Sequence, residues 1–196
     1  VNWKTSETPE AVKIVVAGAS GAGKTTLIGA VSDIPPVRTE DRMRLVDDDD
    51  DPPTAVSIAV PMDFGRTALN AGLTLALFGA PARIDFSFMW DDLLRGAAGA
   101  IVLAHPAQVA SAYEAVTLLE QHGTPYVVLI NDLDGVAIPE TARVRQLLDL
   151  PETVQIVVCD VRNRASVVGA LRELLRYAIH RGEAAASSAV TEGAAR

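Results

Sequence analysis

Lys24 and Thr25 close the run Gly18-Ala19-Ser20-Gly21-Ala22-Gly23-Lys24-Thr25, which fills every fixed position of GxxxxGK(S/T). The chemistry of that pattern is phosphate capture. Glycines let the backbone curl until successive N–H groups converge on one anion, and a helix starting at once adds its partial positive charge. Lys24 then reaches the β- and γ-phosphate oxygens, and the Thr25 hydroxyl ligates Mg²⁺. Gly18, Ala19, Ser20, Gly21, Ala22, Gly23, Lys24, Thr25 and Thr26 are therefore candidate nucleotide-binding residues. Lys24 is also a candidate catalytic group, because it neutralises charge on a transferring phosphoryl group. The plain alternative is a glycine-rich strand-to-helix turn that binds nothing.

Three further boxes follow in order. Asn131-Asp132-Leu133-Asp134 is NxxD. Guanine offers N1–H and N2–H₂ on one edge, and the Asp134 carboxylate accepts both; adenine has an acceptor at N1 and leaves the aspartate unpaired. Sites built on such hydrogen bonds reject the wrong base by about 10⁴-fold or more. An Asx-rich turn also explains this box. Its second residue, Asp132, stands where a lysine stem commonly packs on the base. Cys159-Asp160-Val161-Arg162 comes next. In a GTPase the backbone N–H groups of such a loop, here Cys159, Asp160 and Val161, bind guanine O6; the alternative is an ordinary strand-to-helix turn capped near Asn163. Gly79-Ala80-Pro81-Ala82-Arg83 occupies the place of DxxGQ. The aspartate position is Gly79, the glycine position Ala82 and the glutamine position Arg83. Glutamine both accepts from the attacking water and donates to phosphate, whereas arginine only donates.

These boxes need strands and helices to carry them. Lys13-Ile14-Val15-Val16-Ala17 is a β-branched run before the first box, and Leu27, Ile28 and Val31 share one helical face after it. Further strands are expected at Ala55–Met62, Leu73–Phe78, Ala100–Ala104, Tyr126–Asn131 and Gln155–Cys159. Helical stripes are Val109, Ala112, Tyr113, Val116, Leu119, then Val144, Leu147, Leu148 behind Pro139, then Val167, Leu171, Leu174, Leu175, Ala178. Strands alternating with helices give a mostly parallel sheet covered on both faces. About ten residues separate the second and third strands, too few for a helical crossover, so those two form an antiparallel hairpin. The expected fold is α/β: a Ras-like P-loop NTPase with a six-stranded sheet, one antiparallel edge strand and helices on both faces. The run Asp47–Asp51 in the connection Asp33–Thr54 reads as a solvated loop over the nucleotide, in the place of a first switch.

The chain has 196 residues, 49% hydrophobic and 21% charged, enough for one domain with a core. We expect a loose arm over 1–10, the domain over 11–181, and a disordered tail over 182–196, where Ala, Ser, Glu and Gly show no apolar period. A net charge of −8 argues against nucleic acid as a partner. One cysteine, Cys159, fits a reducing compartment, and no apolar run is long enough to span a membrane.

GASGAGKTT, Pro61-Met62-Asp63-Phe64-Gly65-Arg66, the run Leu77–Ala104, LINDLDG and CDVR together resemble the small GTPases of actinobacterial conservons, Ras-like proteins related to the gliding-motility polarity GTPases. The resemblance covers residues 11–180. It implies GTP or GDP as ligand with Mg²⁺. It also implies a roadblock-type regulatory protein, a membrane sensor histidine kinase and a small accessory protein of the same operon as partners. The expected location is cytoplasmic, with the inner face of the membrane reached through those partners. Members commonly carry FGTPGQ, where this chain has FGAPAR, and a threonine four residues before the DFG aspartate, where it has Ala59. Ser57 is a candidate substitute as a metal-side hydroxyl, and Asp63 a candidate for a Mg²⁺-bound water. Arg66 and Arg83 are candidates for a cis arginine, a group worth about 10³–10⁵ in rate when correctly placed; the ordinary alternative for each is a surface or salt-bridging arginine.

The chain thus reads as a guanine-nucleotide switch in bacterial signalling with slow or partner-dependent GTP hydrolysis. Two rivals remain: a hydrolysis-deficient nucleotide-binding scaffold, and a P-loop ATPase or kinase.

Overall fold

The structure, a computed structural model, describes residues 10–46, 55–70, 72–82 and 87–193; for 10, 38–46, 55–61, 70, 87–88 and 182–193 it describes the backbone alone. The chain runs β1 (Glu10–Ala17), α1 (Lys24–Val31), β2 (Val37–Val46), β3 (Ala55–Asn70), β4 (Leu73–Gly79), α2 (Ser87–Leu94), β5 (Ala97–Ala104), a 3₁₀ segment (Pro106–Ala112), α3 (Tyr113–Gln121), β6 (Tyr126–Asn131), α4 (Thr141–Leu148), β7 (Ile156–Cys159) and α5 (Arg164–Gly193). The strands form one sheet in the order β2-β3-β4-β1-β5-β6-β7. β1 pairs parallel with β4 and β5, and β5-β6-β7 continue parallel, while β3 is antiparallel to both β4 and β2.

The six expected strands are all present, and the hairpin between β3 and β4 is real. Its shape differs from the expectation in two ways. β3 does not stop at Met62 but continues to Asn70, so the DFGR residues lie in a strand rather than in a loop. Pro61 is tolerated inside it because β3 has no partner on its β4 side before Phe64. A seventh strand, β2, extends the edge within the connection expected to form the first switch. Its charged residues, from Arg38 to Arg44, masked the strand signal, and charged residues are what an edge strand tolerates. The acidic run Asp47–Asp51 and the arm over residues 1–9 lie outside the described residues.

Alternation along the central strands divides the core into two layers. Ile14 and Val16 of β1, Leu75 and Leu77 of β4, and Ile101 and Leu103 of β5 pack with α1 and α5. Val15 and Ala17, Val102 and Ala104, and Val128 and Ile130 face α2, α3 and α4, through Trp90, Val116, Leu119, Val144 and Leu148. Each Leu or Ile buried completely in these layers contributes about 2 kcal/mol relative to exposure. Tyr113, expected in the α3 stripe, stands at the start of that helix and is exposed.

α5 continues to Gly193, where the composition led us to expect a disordered tail from 182. A helix already nucleated by the packed residues Val167, Ala170, Leu171 and Leu174 propagates readily into an Ala- and Glu-rich sequence. Among the described residues, no helix is long and apolar enough to cross a membrane.

Candidate functional site

All the boxes gather at the C-terminal ends of the parallel strands, the edge at which open α/β sheets bind ligands. Gly18 leaves β1 with φ 135°, Gly21 follows with φ 77°, and Gly23 caps α1 with φ 109°. Gly18 is required by space as well as by angle: a Cβ there would sit 2.2 Å from the backbone oxygen of Leu103 in β5. The Lys24 ammonium folds back along the loop and donates to the carbonyl oxygens of Gly18 (2.7 Å) and Ala19 (2.9 Å). Burial lowers its pKa, and the Asp63 carboxylate works in the opposite direction. Beside the loop lies an open cavity of about 470 Å³, lined by Ser20, Gly21, Lys24, Thr25, Thr26 and Asp63 together with the chain after β4. A curled, glycine-built amide loop, a lysine and this cavity fit a polyphosphate.

The Thr25 hydroxyl donates to a carboxylate oxygen of Asp63. Asp63 reaches it from β3, on the same strand face as Gly65, which packs against Ile28 of α1: a Cβ on Gly65 would lie 2.6 Å from Ile28 Cγ2. Gly79 makes the room. A Cβ at Gly79 would meet the Asp63 Cβ at 3.2 Å, so the position that lacks the expected aspartate is the one against which Asp63 packs. A hydroxyl and a carboxylate oxygen brought together in this way suit Mg²⁺, which takes one or two protein oxygens and completes its shell with phosphate and water.

Other candidates fall elsewhere. Arg66 is exposed and lies three residues from Asp63, hence on the opposite strand face. It does not line the cavity, and its backbone serves the turn after α1, accepting from Asp33 N–H (2.7 Å) and donating to Ser32 Oγ (3.1 Å). Strand parity turns Arg66 away from the cradle, in keeping with the ordinary alternative of a surface arginine. Ser57 lies in β3 opposite Arg44 of β2, and its side chain is outside what the structure describes. Arg83 also lies outside the described residues. Trp90 of α2 is a core residue.

The NxxD box is anchored by Asn131, at the end of β6. Its buried amide donates to the Ala22 carbonyl of the cradle at 3.0 Å. Val161 packs on the same loop beside it: a Cβ on Gly23 would lie 2.8 Å from Asn131 Nδ2 and 3.2 Å from Val161 Cγ2. Asp132 donates its backbone N–H to Cys159 O at 2.9 Å, which ties the two base-end loops together. Cys159 is buried; its thiol accepts from Ser166 Oγ at 3.4 Å, and burial pushes its pKa up. Asp160 and Asp134 both point to the surface, and one side chain joins them. Arg162 donates to Asp134 at 2.8 and 3.3 Å and to Asp160 at 2.9 and 3.2 Å, holding both carboxyls below the usual range. The sequence reading gave this side chain no role. Its signal was the spacing: an arginine two residues after one aspartate, in the loop facing another.

Residues 16–181 match the model of a family described as conserved hypothetical ATP binding protein. The chain belongs to that family. No curated protein matches it. Among solved structures, members of this fold include the cytosolic domain of the FeoB iron transporter of T. maritima. Its apo form is 18% identical with a TM-score of 0.61 over 86% of this chain, and its GDP form I is 19% identical with a TM-score of 0.60 over 87%. The G domain of the same transporter is 19% identical with a TM-score of 0.57, covering 87% of this chain and 98% of that domain. The chain spans 64% of the length of the cytosolic domain. At these identities the likeness establishes the fold, that of a G-domain P-loop NTPase, and nothing finer.

Proposed function

We propose that this family member is a guanine-nucleotide switch of the conservon small-GTPase kind, holding GDP or GTP with Mg²⁺ and hydrolysing GTP slowly or only with a partner. The observation that carries the reading is the Asn131 bridge: it ties the NxxD box to the phosphate cradle, and Asp134 follows three residues later with its side chain exposed. On this reading the cradle amides bind phosphate. Lys24 exchanges the carbonyls of Gly18 and Ala19 for β- and γ-oxygens. Thr25 and Asp63 hold the metal side, and the strand around Ser57 and the loop around Ala80 respond to nucleotide state. When bound, Mg²⁺ supplies charge neutralisation across the phosphates. Slow turnover follows from Ala82, Arg83 and Ala59, which stand where the loop glycine, the water-orienting glutamine and the switch threonine would be. A roadblock-type regulator, a sensor histidine kinase and a small accessory protein are the proposed partners, which would bring the chain to the inner face of the membrane.

The test is calorimetric titration with GDP, GTP and ATP, with and without Mg²⁺. Guanine nucleotides should bind more tightly than ATP, and Asp134→Ala should abolish the difference. Two observations favour a second reading, an ATP-binding protein: the family's description, and the engagement of Asp134 by Arg162. Tighter binding of ATP than of GTP, unaffected by Asp134→Ala, would establish that reading instead.

A further inference from the structure

The pairing at the base end is chemically specific. Arg162 uses Nη1 and Nη2 on the two oxygens of Asp134, and Nε and Nη2 on the two oxygens of Asp160; its backbone N–H also donates to Asp160 Oδ1 at 2.9 Å. The edge facing Asp134 is two parallel N–H groups on one carbon. Guanine's N1–H and N2–H₂, joined through C2, form the same unit, since that part of the base is a cyclic guanidine. The arginine therefore presents to Asp134 a copy of the edge by which guanine would engage it, and it takes both oxygens at once.

We propose that Arg162 is an internal occupant of the base-selecting carboxylate, which guanine must displace, and that Asp160 retains the arginine when the Asp134 fork opens. The proposal rests on the guanine reading given above. Three features support it. Asp134 is 88% exposed at its side chain and Arg162 48%, so the pair contributes little to the fold and is free to open. Asp160 is the more sheltered carboxylate, at 32%, and is also bonded to the Arg162 backbone, so it is the stable half of the pair. Finally, Asp134 and Asp160 would repel each other without the guanidinium between them, which gives the arginine a reason to return when the base leaves. The device sets guanine affinity by competition and leaves adenine nucleotides, which make no use of Asp134, untouched.

The experiment compares the full chain with Arg162→Ala and Arg162→Lys by calorimetry against GDP and ADP in Mg²⁺ buffer, at low and high salt. Removing an exposed ionic competitor should tighten GDP binding about three- to five-fold and leave ADP unchanged. Arg162→Lys, which keeps the charge and loses the fork, should fall between. The ratio between wild type and Arg162→Ala should approach one at high salt, where the pair is screened. GDP binding that is equal or weaker in Arg162→Ala overturns the proposal alone. Failure of both proteins to bind GDP overturns the guanine reading and the proposal with it.

Discussion

The two ends of the proposed nucleotide site are built from different materials. The phosphate end is backbone: three glycines at positive φ, a helix start, and at Gly18 a contact so close that a Cβ would sit 2.2 Å from the Leu103 oxygen. The base end is surface side chains: Asp134, Asp160 and Arg162, held in place by one another. A backbone site is fixed by the fold and has one arrangement. A side-chain site is fixed by charge pairing, and its arrangement changes when a partner of the same chemistry arrives. On the proposed reading, strength of grip and choice of base reside in separable parts of the molecule, joined by Asn131.

That separation can be broken or sharpened by substitution. Gly18→Ala attacks the backbone end where nothing can yield, because the atom it meets belongs to the β5 main chain. We expect a loss of about 3 kcal/mol or more in chemical denaturation and no detectable nucleotide binding. Asn131→Ala cuts the joint. It orphans the Ala22 carbonyl, and should cost about 2 kcal/mol and weaken GDP and ATP alike, in contrast to Asp134→Ala, which should weaken guanine nucleotides only. Asp63→Asn keeps shape and removes charge; the enhancement of GDP binding by Mg²⁺ should fall about ten-fold, with metal-free binding unchanged. The smallest effect lies away from the cleft. His122 Nε2 donates to the Asp91 carboxylate at 2.7 Å, and that carboxylate together with the Leu118 carbonyl raises its pKa above 6.5. Because the folded value is the higher one, the contribution is complete below about pH 6.5 and is lost as pH rises through the folded value. Melting curves between about pH 6 and pH 8 should therefore show a decrease worth less than about 1 kcal/mol, absent in His122→Gln.

The backbone end was legible in the sequence for the same reason that it is rigid. Glycine spacing, a β-branched run and an apolar helical face are local signals, and each of them specifies geometry. The central parallel strands were legible because burial on both faces leaves continuous apolar runs such as Tyr126–Ile130. The edge was not. β2 carries charge on successive residues, and β3 contains Pro61 and Gly65, so neither shows a clean period of two; only pairing defines them. The helical end of α5 was hidden by composition, since Ala-rich sequence serves equally for tails and for helices. The substitution of Asp63 for an aspartate after β4, and the Arg162 fork, depend on side chains meeting across distant segments, which no local pattern records.

Asp63 has one more property that follows from its being carried by β3. A carboxylate on a flexible loop swings by rotating a few bonds, whereas one on a pleated ribbon keeps its direction for as long as the ribbon keeps its alignment. Sliding β3 by a single residue along β4, where Phe64 faces Phe78, would turn the acid outward and bring a neighbour's side chain inward. The Asp63 oxygen that meets the Thr25 hydroxyl is thereby governed by how two strands are threaded past each other, and a force applied at the outer ribbon is felt at Thr25.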